Sequence, residues 1–530
     1  MTDLMKHYIC CLLALLSCGA FSGCSDFLEE QSQDKYYISS YADLDELLIG
    51  DCYLRTKASQ PLASSPDIGY FLPYICDEIE EQNGTFSQTF DDHESIFGYF
   101  TWQDRVGATE DDSGFKSENG TWKETYRLIN VANNIINEVP KIPQATAQEK
   151  AGALRVNGEA HFLRALYYFW LVNLYAKPYQ PSSARTDLGV PIKIFPEVKD
   201  QRFRRNTVQE VYDQILADLQ VAESSLSQSE PRKTIYRADS TAVNLLLSRV
   251  YLYMQRWEDA SRYADKVLRA PHTQLENLNT AEEAFLRKDN PEVLFSMGGS
   301  DVTCTMCNSW KSFRVSHDLY QTYADEDLRK TQWWWTYEDF VGDIKPKMPN
   351  KTTVETTSQE YYYYGYNWAS KGALAEVSDR FLFRTAEAYL NKAEAEAYLG
   401  HDGIARDIIN RLRINRYQTG SDYQLTESGD KLIEAIRDER RRELALEGHR
   451  WFDLRRYAVC AVHPQSKEIV HEYTLFESRN STTMTERRRY VLKANDPAYT
   501  LPIPNEVLEF NTGMQNNEHP RRDYTLIPIH

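Results

Sequence analysis

The sequence predicts a mainly α-helical fold in which tetratricopeptide-type helix pairs form a solenoid-like scaffold that long insertions interrupt. Residues 241–271 match such a repeat, with large and small side chains at its packing positions and a turn at Gln255. Residues 380–416 predict a second pair, whose turn begins at Gly400. The small residues expected to let the paired helices approach closely are Ser248, Ala260, Ala386, Ala393 and Ala397.

The other helices are predicted from capping signals and apolar periodicity. Capping boxes that begin at Thr121 and at Thr207 each predict a helix start, and Pro140 is expected to end the first of these helices. A longer helix is expected from about Gln148 to Tyr175. Its second half is apolar nearly all round, which predicts burial on several sides.

Residues 36–120 are predicted to be less regular than the helical parts of the chain. Residues 36–57 favour a helix with Leu44, Leu47 and Leu48 on one face. Residues 59–120 are rich in Gly, Pro, Asp and aromatic residues, which indicates mainly loops.

The length and the charge of the chain exclude some classes of function. A chain of 530 residues can bury a large core, and its length allows about three domains, or fewer in a helical array. The chain has 60 basic and 78 acidic residues, for a formal net charge of −18. This charge argues against nucleic acid as a partner and against electrostatic adhesion to anionic lipid.

The N-terminus has the features of a targeting segment. Lys6 precedes an apolar run over residues 8–20, which is too short to span a membrane but suits a signal peptide. The run ends in Phe21-Ser-Gly-Cys24, which resembles a bacterial lipobox. We therefore predict a signal peptide over residues 1–23 and a lipidated Cys24. The alternative is an ordinary secreted protein with a free Cys24.

The other cysteines of the mature chain do not form a disulfide framework, because five sparse thiols cannot all pair. Cys304 and Cys307 form a single CxxC motif without the second ligand pair that a zinc site needs. A local disulfide or two free thiols is the favoured interpretation, and no metal is expected.

The segment Asp438–Tyr457, DERRRELALEGHRWFDLRRY, carries charge on a face that should be buried. Run as a helix, it places Arg440, Glu443 and Glu447 on the same stripe as apolar residues. One interpretation is an anion-binding site, and the other is an internal ion-pair network that docks helices. The acidic residues alternate with the basic ones and would neutralise an anion site, so the network is favoured.

No catalytic motif is present in the sequence. It contains no HExxH, GxSxG, Walker or GxGxxG pattern. Acidic groups at Asp91-Asp92, Asp111-Asp112 and 325–327 are interpreted as solvated loop charge. We therefore predict a binding protein without a cofactor rather than an enzyme.

An aromatic insertion lies between the two helix pairs, over residues 296–378. Contiguous tryptophans and tyrosines must place some rings outward, and exposed aromatic clusters mark binding surfaces. Flat rings suit the CH-rich faces of sugars, although these rings could instead pack in a local core or against a partner protein. The candidate ligand-binding residues are Trp310, Trp333, Trp334, Trp335, Tyr337, Tyr363 and Trp368 of the insertion, with Tyr99 and Trp102 of the N-terminal loops.

The run RRRELALEGHRWFDLRR closely resembles the C-terminal signature of the SusD/RagB family, the surface nutrient-binding lipoproteins of the Bacteroidetes. Four further stretches resemble landmarks of that family in the same order: WKETYRLINVANNII, GEAHFLRALYYFWLVNLYAKPY, RFLFRTAEAYLNKAEAEAYLG and LPIPNEVLEFNTGMQNN. The residues that follow Cys24, SDFLEE, also resemble mature starts in this family, so the resemblance spans about residues 24–517.

The resemblance implies a SusD-like fold with long loops and small β elements that carry the site. It divides the chain into a signal peptide (1–23), an N-terminal helical region (24–295) and a C-terminal region (296–530) with the insertion and helices over 380–457. It also implies ligand-stacking aromatics from the N-terminal loops and from the insertion.

The function that the resemblance implies is capture of an oligosaccharide at the outer membrane. The lipid anchor would hold the protein at the cell surface, where it would cap a SusC-like TonB-dependent transporter and pass the glycan inward. The alternatives are a peptide-binding RagB-like member of the same family and a surface glycoside hydrolase.

Overall fold

The computed structural model describes residues 38–53, 68–81, 91–108, 118, 120–197, 199–229, 234–281, 285–297, 313–337, 340–344, 377, 382–478, 481 and 483–529. Helices dominate these ranges and the strands are short, which confirms the predicted mainly α-helical class. None of the described helices is long and apolar enough to cross a lipid bilayer.

The helices are named here in chain order. They are α1 (Tyr41–Leu47), α2 (Asp91–Phe100), α3 (Gly120–Glu138), α4 (Ala147–Tyr175), α5 (Val208–Leu226), α6 (Ser240–Tyr253), α7 (Trp257–Leu268), α8 (His317–Tyr320), α9 (Leu328–Gln332), α10 (Thr385–Tyr398), α11 (Asp402–Arg413), α12 (Asp430–Glu443), α13 (Arg450–Ala458) and α14 (Asn505–Phe510).

Both predicted helix pairs are present. Helices α6 and α7 are joined by a turn at Gln255, whose φ is 59°, and the Ser248 hydroxyl donates to the Ala260 carbonyl oxygen at 2.9 Å. Helices α10 and α11 turn at Gly400, whose φ of 79° favours glycine. Helix α7 packs against α10. The two pairs are therefore neighbours in space although the insertion separates them in sequence.

Helix α4 is the longest helix described, and α3 and α5 pack on it. It begins one residue before the predicted start, with a capping box formed by Thr146 and Glu149. The capping box at Thr207 is confirmed. The box predicted at Thr121 is wrong, because α3 begins at Gly120 and the Thr121 hydroxyl accepts instead from the Gly69 amide at 3.3 Å.

The described strands pair antiparallel in four small sheets. Their bounds are β1 (Ile79–Glu81), β2 (Val293–Phe295), β3 (Phe313–Val315), β4 (Trp334–Tyr337), β5 (Phe340–Ile344), β6 (Phe383–Arg384), β7 (Ile469–Phe476), β8 (Met484–Leu492) and β9 (Tyr524–Ile527). Strand β1 pairs with β3, β2 with β6, β4 with β5, and β8 with both β7 and β9.

The prediction of mainly loops over residues 59–120 misses two regular elements, β1 and α2. Helix α2 buries Ile96, Phe97 and Phe100. The Phe97 ring packs edge-on against Tyr473 of β7, with ring centroids 5.0 Å apart. These contacts come from the far end of the chain, and local composition does not reveal them.

Candidate functional site

The segment Asp438–Tyr457 forms two helices, α12 and α13, rather than one. The turn between them contains Leu446 at φ 61° and Gly448 at φ 79°, both in the left-handed region. Arg440 Nε donates to Asp453 Oδ2 at 2.9 Å across the turn. The charged stripe therefore folds back on itself and stays buried.

An ion-pair network surrounds Glu443 at the end of α12. Its carboxylate contacts Arg329 of α9, Arg384 of β6 and Arg416 after α11, at 2.8 to 2.9 Å. Among the described residues, the network that these contacts connect holds equal numbers of the two charges: the arginines are Arg329, Arg384, Arg413, Arg416 and Arg442, and the carboxylates are Glu292, Asp327, Glu439, Glu443 and Glu447.

Because its positive and negative charges balance, this cluster confirms the predicted internal ion-pair network and argues against an anion-binding site. Burial alone would raise the pKa of Glu443, but the charges of Arg416, Arg384 and Arg329 outweigh it and hold that pKa well below its usual range. Asp327 is buried beside Arg329, so the prediction of solvated charge over residues 325–327 is wrong at this position.

The turn after α12 joins the C-terminal helices to the N-terminal segment 68–81. The Leu446 amide donates to the Glu78 carboxylate at 3.0 Å, and Arg450 forms a two-point ion pair with Asp77 at 2.7 and 2.9 Å. Burial would raise the pKa of Asp77, but Arg441, Arg450 and Lys467 hold it well below its usual range. The segment Asp438–Tyr457 thus positions the loop that precedes β1.

Strand β1 connects that loop to the aromatic insertion. It pairs with β3 in the register Ile79 to Val315. The Ser316 amide donates to the Glu78 carbonyl oxygen at 2.8 Å, and the Ser316 hydroxyl donates to the Asp77 carbonyl oxygen at 2.7 Å. Strand β5 of the β4–β5 hairpin lies beside β3. The two aromatic regions of the sequence are therefore adjacent, and we call this junction the β1–β3 seam.

Aromatic side chains fill the interior of the seam. Phe313 of β3 contacts the rings of Tyr74 and Phe100, with centroids 5.2 and 4.8 Å away. His471 of β7 lies between the rings of Phe100 and Trp102, at 4.1 and 4.4 Å. Burial lowers the pKa of His471 to about 4, so its ring is neutral at pH 7.

Three predicted ligand-binding residues belong to the core, and the prediction is corrected for them. Tyr99 is 4% exposed and stacks on Phe71, and Trp102 is 2% exposed and donates from Nε1 to the Ile75 carbonyl oxygen at 3.0 Å. Trp333 is 0% exposed and its ring lies 4.9 Å from that of Phe285. Their rings are covered by protein and do not offer a face to a sugar.

The remaining candidates separate into two groups. Trp334, Trp335 and Tyr337 lie in β4, within the hairpin beside the seam. Outside the described residues lie Trp310, Tyr363, Trp368, Cys24, Cys304 and Cys307.

Sequence reasoning missed the carboxylates that build the seam. Asp77 and Glu78 lie in a segment without periodicity, and their partners are hundreds of residues away. The one signal in the sequence is a pair of acids within an otherwise apolar stretch, Tyr74 to Ile79, where unpaired charge would be costly.

The described part of the chain offers no group of three His, Cys, Asp or Glu that could hold a metal ion. Three described cysteines, Cys52, Cys76 and Cys460, are free and buried. Burial raises the pKa of the Cys76 thiol well above its usual value, which makes it a poor nucleophile.

Two family models and several known proteins match this chain. A model of the SusD family matches residues 297–520, and a second family model, described as starch-binding associating with outer membrane, matches residues 26–252. SusD-like protein P25 of Formosa agariphila is 23% identical over 455 residues, which cover 77% of this chain and 80% of that protein.

Solved structures share the fold. A SusD superfamily protein from Bacteroides thetaiotaomicron has a TM-score of 0.66 at 20% identity, covering 90% of this chain and 100% of that one. A SusD-like carbohydrate binding protein from Bacteroides vulgatus has a TM-score of 0.60 at 19% identity, covering 90% and 97%. With both halves of the sequence matched by SusD models and the fold shared along its length, this chain belongs to the SusD/RagB family.

Proposed function

We propose that this protein is a surface-exposed, glycan-binding lipoprotein that captures an oligosaccharide and delivers it to a SusC-like TonB-dependent transporter. The observation that carries the proposal is the β1–β3 seam, which joins the aromatic insertion to the N-terminal aromatic segment. Family membership supports it, as does the carbohydrate-binding description of a structural relative.

The proposed ligand-binding rings are the candidate residues of the insertion other than Trp333. Trp334, Trp335 and Tyr337 follow directly after the buried Trp333, which anchors the start of the hairpin in the core. A rigid anchor next to a binding residue reduces the entropy lost on binding. Trp310, Tyr363 and Trp368 complete the proposed set.

The test is glycan affinity electrophoresis with the double variant Trp334→Ala/Trp335→Ala. Removal of two stacking rings should weaken retention on a bound polysaccharide at least about tenfold, at about 1–3 kcal/mol for each aromatic contact, with little change in melting temperature. Phe510→Ala, which removes an exposed ring outside the hairpin, should keep wild-type retention. Equal retention by the double variant and the wild type contradicts the proposed site.

Binding assays of the wild type with a set of glycans and peptides separate the alternatives. Retention of peptides but of no glycan would identify a peptide-binding member of the family. New reducing ends after incubation with a glycan would identify a hydrolase and overturn a purely binding function.

The proposed location and partner are tested in cells. The family description that matches residues 26–252 includes association with the outer membrane and supports this location. The Cys24→Ala variant should be released from membranes. A variant that still sediments with membranes would contradict lipidation at that residue. A large β-barrel protein should co-purify in detergent with the wild type.

A further inference from the structure

A cavity of about 390 Å³ lies where α13 meets the C-terminal segment. Its volume is within the range of about 300–1,000 Å³ that small-molecule sites occupy. None of the described glycan-binding candidates, Trp334, Trp335 and Tyr337, lines it. Apolar residues form much of its lining: Pro178, Leu454, Ala458, Val459 and Pro497. The cavity is therefore a separate feature from the aromatic insertion.

Tyr499 also lines the cavity, and it is half-buried. Its ring stacks on that of Trp451, with centroids 5.0 Å apart and 19° between the ring planes. Trp451 is buried, so this face of Tyr499 meets protein. The Tyr499 hydroxyl donates to the Lys467 carbonyl oxygen at 2.6 Å. With one face and the hydroxyl in use, the ring surface that Tyr499 keeps for the cavity is the opposite, apolar face.

The less exposed charged groups of the lining already have partners. Lys467 pairs with Asp77 at 2.6 Å, and Asp496 forms a two-point ion pair with Arg522 at 2.8 Å for both contacts. Arg455 is buried and donates to backbone carbonyl oxygens at the C-terminal end of α4. A charged ligand would have to compete with these contacts, so the lining favours a neutral ligand.

Exposed polar residues border the cavity where it opens to solvent. Ser466, Asn495 and Glu518 line it, and their side chains form no hydrogen bond to any described residue. Hydroxyl, amide and carboxylate groups together offer donors and acceptors. Lys177 also lines the cavity, and its ammonium lies 3.5 Å from Asp187. The opening thus carries polar groups that are available to a ligand.

We propose that this cavity is a second carbohydrate site, which holds one neutral sugar ring with its CH-rich face on Tyr499 and its hydroxyl groups toward Ser466, Asn495 and Glu518. A pyranose has apolar faces and a polar edge, which match an apolar lining bordered by donors and acceptors. Trp451 holds the Tyr499 ring in place, which reduces the entropy lost on binding. The site goes beyond the proposed function, because it does not use the insertion.

The experiment is saturation-transfer difference NMR of the full mature protein with four neutral sugars: methyl β-D-glucoside, methyl β-D-galactoside, methyl α-D-mannoside and methyl β-D-xyloside. At least one should bind with a dissociation constant of about 10 mM or tighter. The CH protons on one face of that sugar should receive the strongest saturation, because they lie against the ring. Absence of binding by all four sugars overturns the proposal.

Variants at Tyr499 locate the bound sugar. They are made in the Trp334→Ala/Trp335→Ala protein, which removes two rings of the proposed glycan site and should itself retain this binding. Tyr499→Phe keeps the ring and should bind within about twofold of that parent. Tyr499→Leu removes the ring and should bind at least about fivefold more weakly. Loss of all binding in the parent places the sugar in the insertion and overturns the second site.

Asn495→Gly tests the site without touching the packed ring. Asn495 has a φ of 59°, which glycine adopts freely, so the variant removes the amide and keeps the backbone. It should weaken binding at least about threefold at an unchanged melting temperature. His272→Gly makes the same change at an exposed left-handed residue that does not line the cavity, and it should bind as its parent does. Unchanged binding by both Tyr499→Leu and Asn495→Gly overturns the site, whichever sugar the protein binds.

Discussion

Glu443 and Arg416 form a two-point ion pair in the protein interior, with Arg416 Nε 2.9 Å from Oε2 and Nη2 2.9 Å from Oε1. Arg416 also reaches Glu292 before β2, at 2.6 Å. One carboxylate thus fixes α12 against the end of the second helix pair and against the β2–β6 sheet. The segment Asp438–Tyr457 is thus a structural clamp, and its contacts with Asp77 and Glu78 position the seam.

Glu443→Gln should lower the free energy of unfolding by about 3–5 kcal/mol, because the variant leaves three buried arginines short of one negative charge. Urea denaturation at pH 7 measures the change. Asp438→Asn, on the exposed face of the same helix, should stay within about 0.5 kcal/mol of the wild type. Equal losses in the two variants would show that the network does not stabilise the fold.

Acid should destabilise the protein through Glu394 of α10. Burial would raise the pKa of Glu394, but Arg456, which forms a two-point contact with it, lowers that pKa to about 2 from an ordinary 4.5. A carboxyl group whose pKa is lowered by folding contributes its full stabilisation above the pKa that it has in the unfolded chain. The contribution of Glu394 should therefore disappear as pH falls from about 4.5 to about 2.

Unfolding free energies measured in urea from pH 7 to pH 2 test this linkage. The difference between the wild type and Glu394→Gln should shrink below about pH 4.5, because protonation makes the two side chains alike. The exposed control Glu509→Gln should follow the wild-type profile throughout. A constant difference between wild type and Glu394→Gln at every pH would contradict the assigned role of this carboxylate.

The elements predicted well are those whose signals are local. The capping box predicted at Thr207 is confirmed, because a cap depends on residues three apart, whereas the box predicted at Thr121 does not form and α3 begins at Gly120. The start of α4 lies one residue from its predicted position. Periodicity and small residues likewise predicted both helix pairs. Helical periodicity does not predict the break in Asp438–Tyr457, although Gly448 is the residue that the left-handed turn favours.

The candidate site was predictable as a region and not residue by residue. Composition identified the insertion, but Trp333 and Trp334 have the same local surroundings in sequence. The burial of Trp333 depends on Phe285 and on Arg329, whose guanidinium carbon lies 5.8 Å from the indole centroid. The sequence neighbourhood of Trp333 does not contain Phe285. Contacts of this kind arise from tertiary packing, which no periodic pattern reports.

Trp333→Ala should lower the free energy of unfolding by about 3–5 kcal/mol, because it removes a fully buried ring and leaves a cavity beside Phe285. Thermal and urea denaturation measure the loss. Tyr524→Ala removes a partly exposed ring from β9 and should cost less. A stable Trp333→Ala variant that has lost glycan retention would instead restore the ligand-binding role of this tryptophan.

Glu78→Gln should stabilise the protein at pH 8 and have little effect at pH 5. Burial raises the pKa of Glu78 to about 7, and the neighbouring Asp77 adds to that shift. A carboxyl group whose pKa is raised by folding is costly to ionise in the folded state. The free energy of unfolding of the wild type should therefore fall by about 2–3 kcal/mol as pH rises from 5 to 8. The glutamine keeps the oxygen that accepts from the Leu446 amide and lacks the charge.

Urea unfolding of Glu78→Gln across the same pH range should therefore lack this decline. Glu80→Gln, two residues further along in β1, serves as the matched control and should retain the wild-type slope, because the half-buried Glu80 accepts from the His317 amide at the exposed side of the strand. Parallel profiles for the wild type and Glu78→Gln would mean that Glu78 is ionised in the fold without cost. The seam would then owe its position to the Asp77 ion pairs rather than to a neutral carboxyl at its centre.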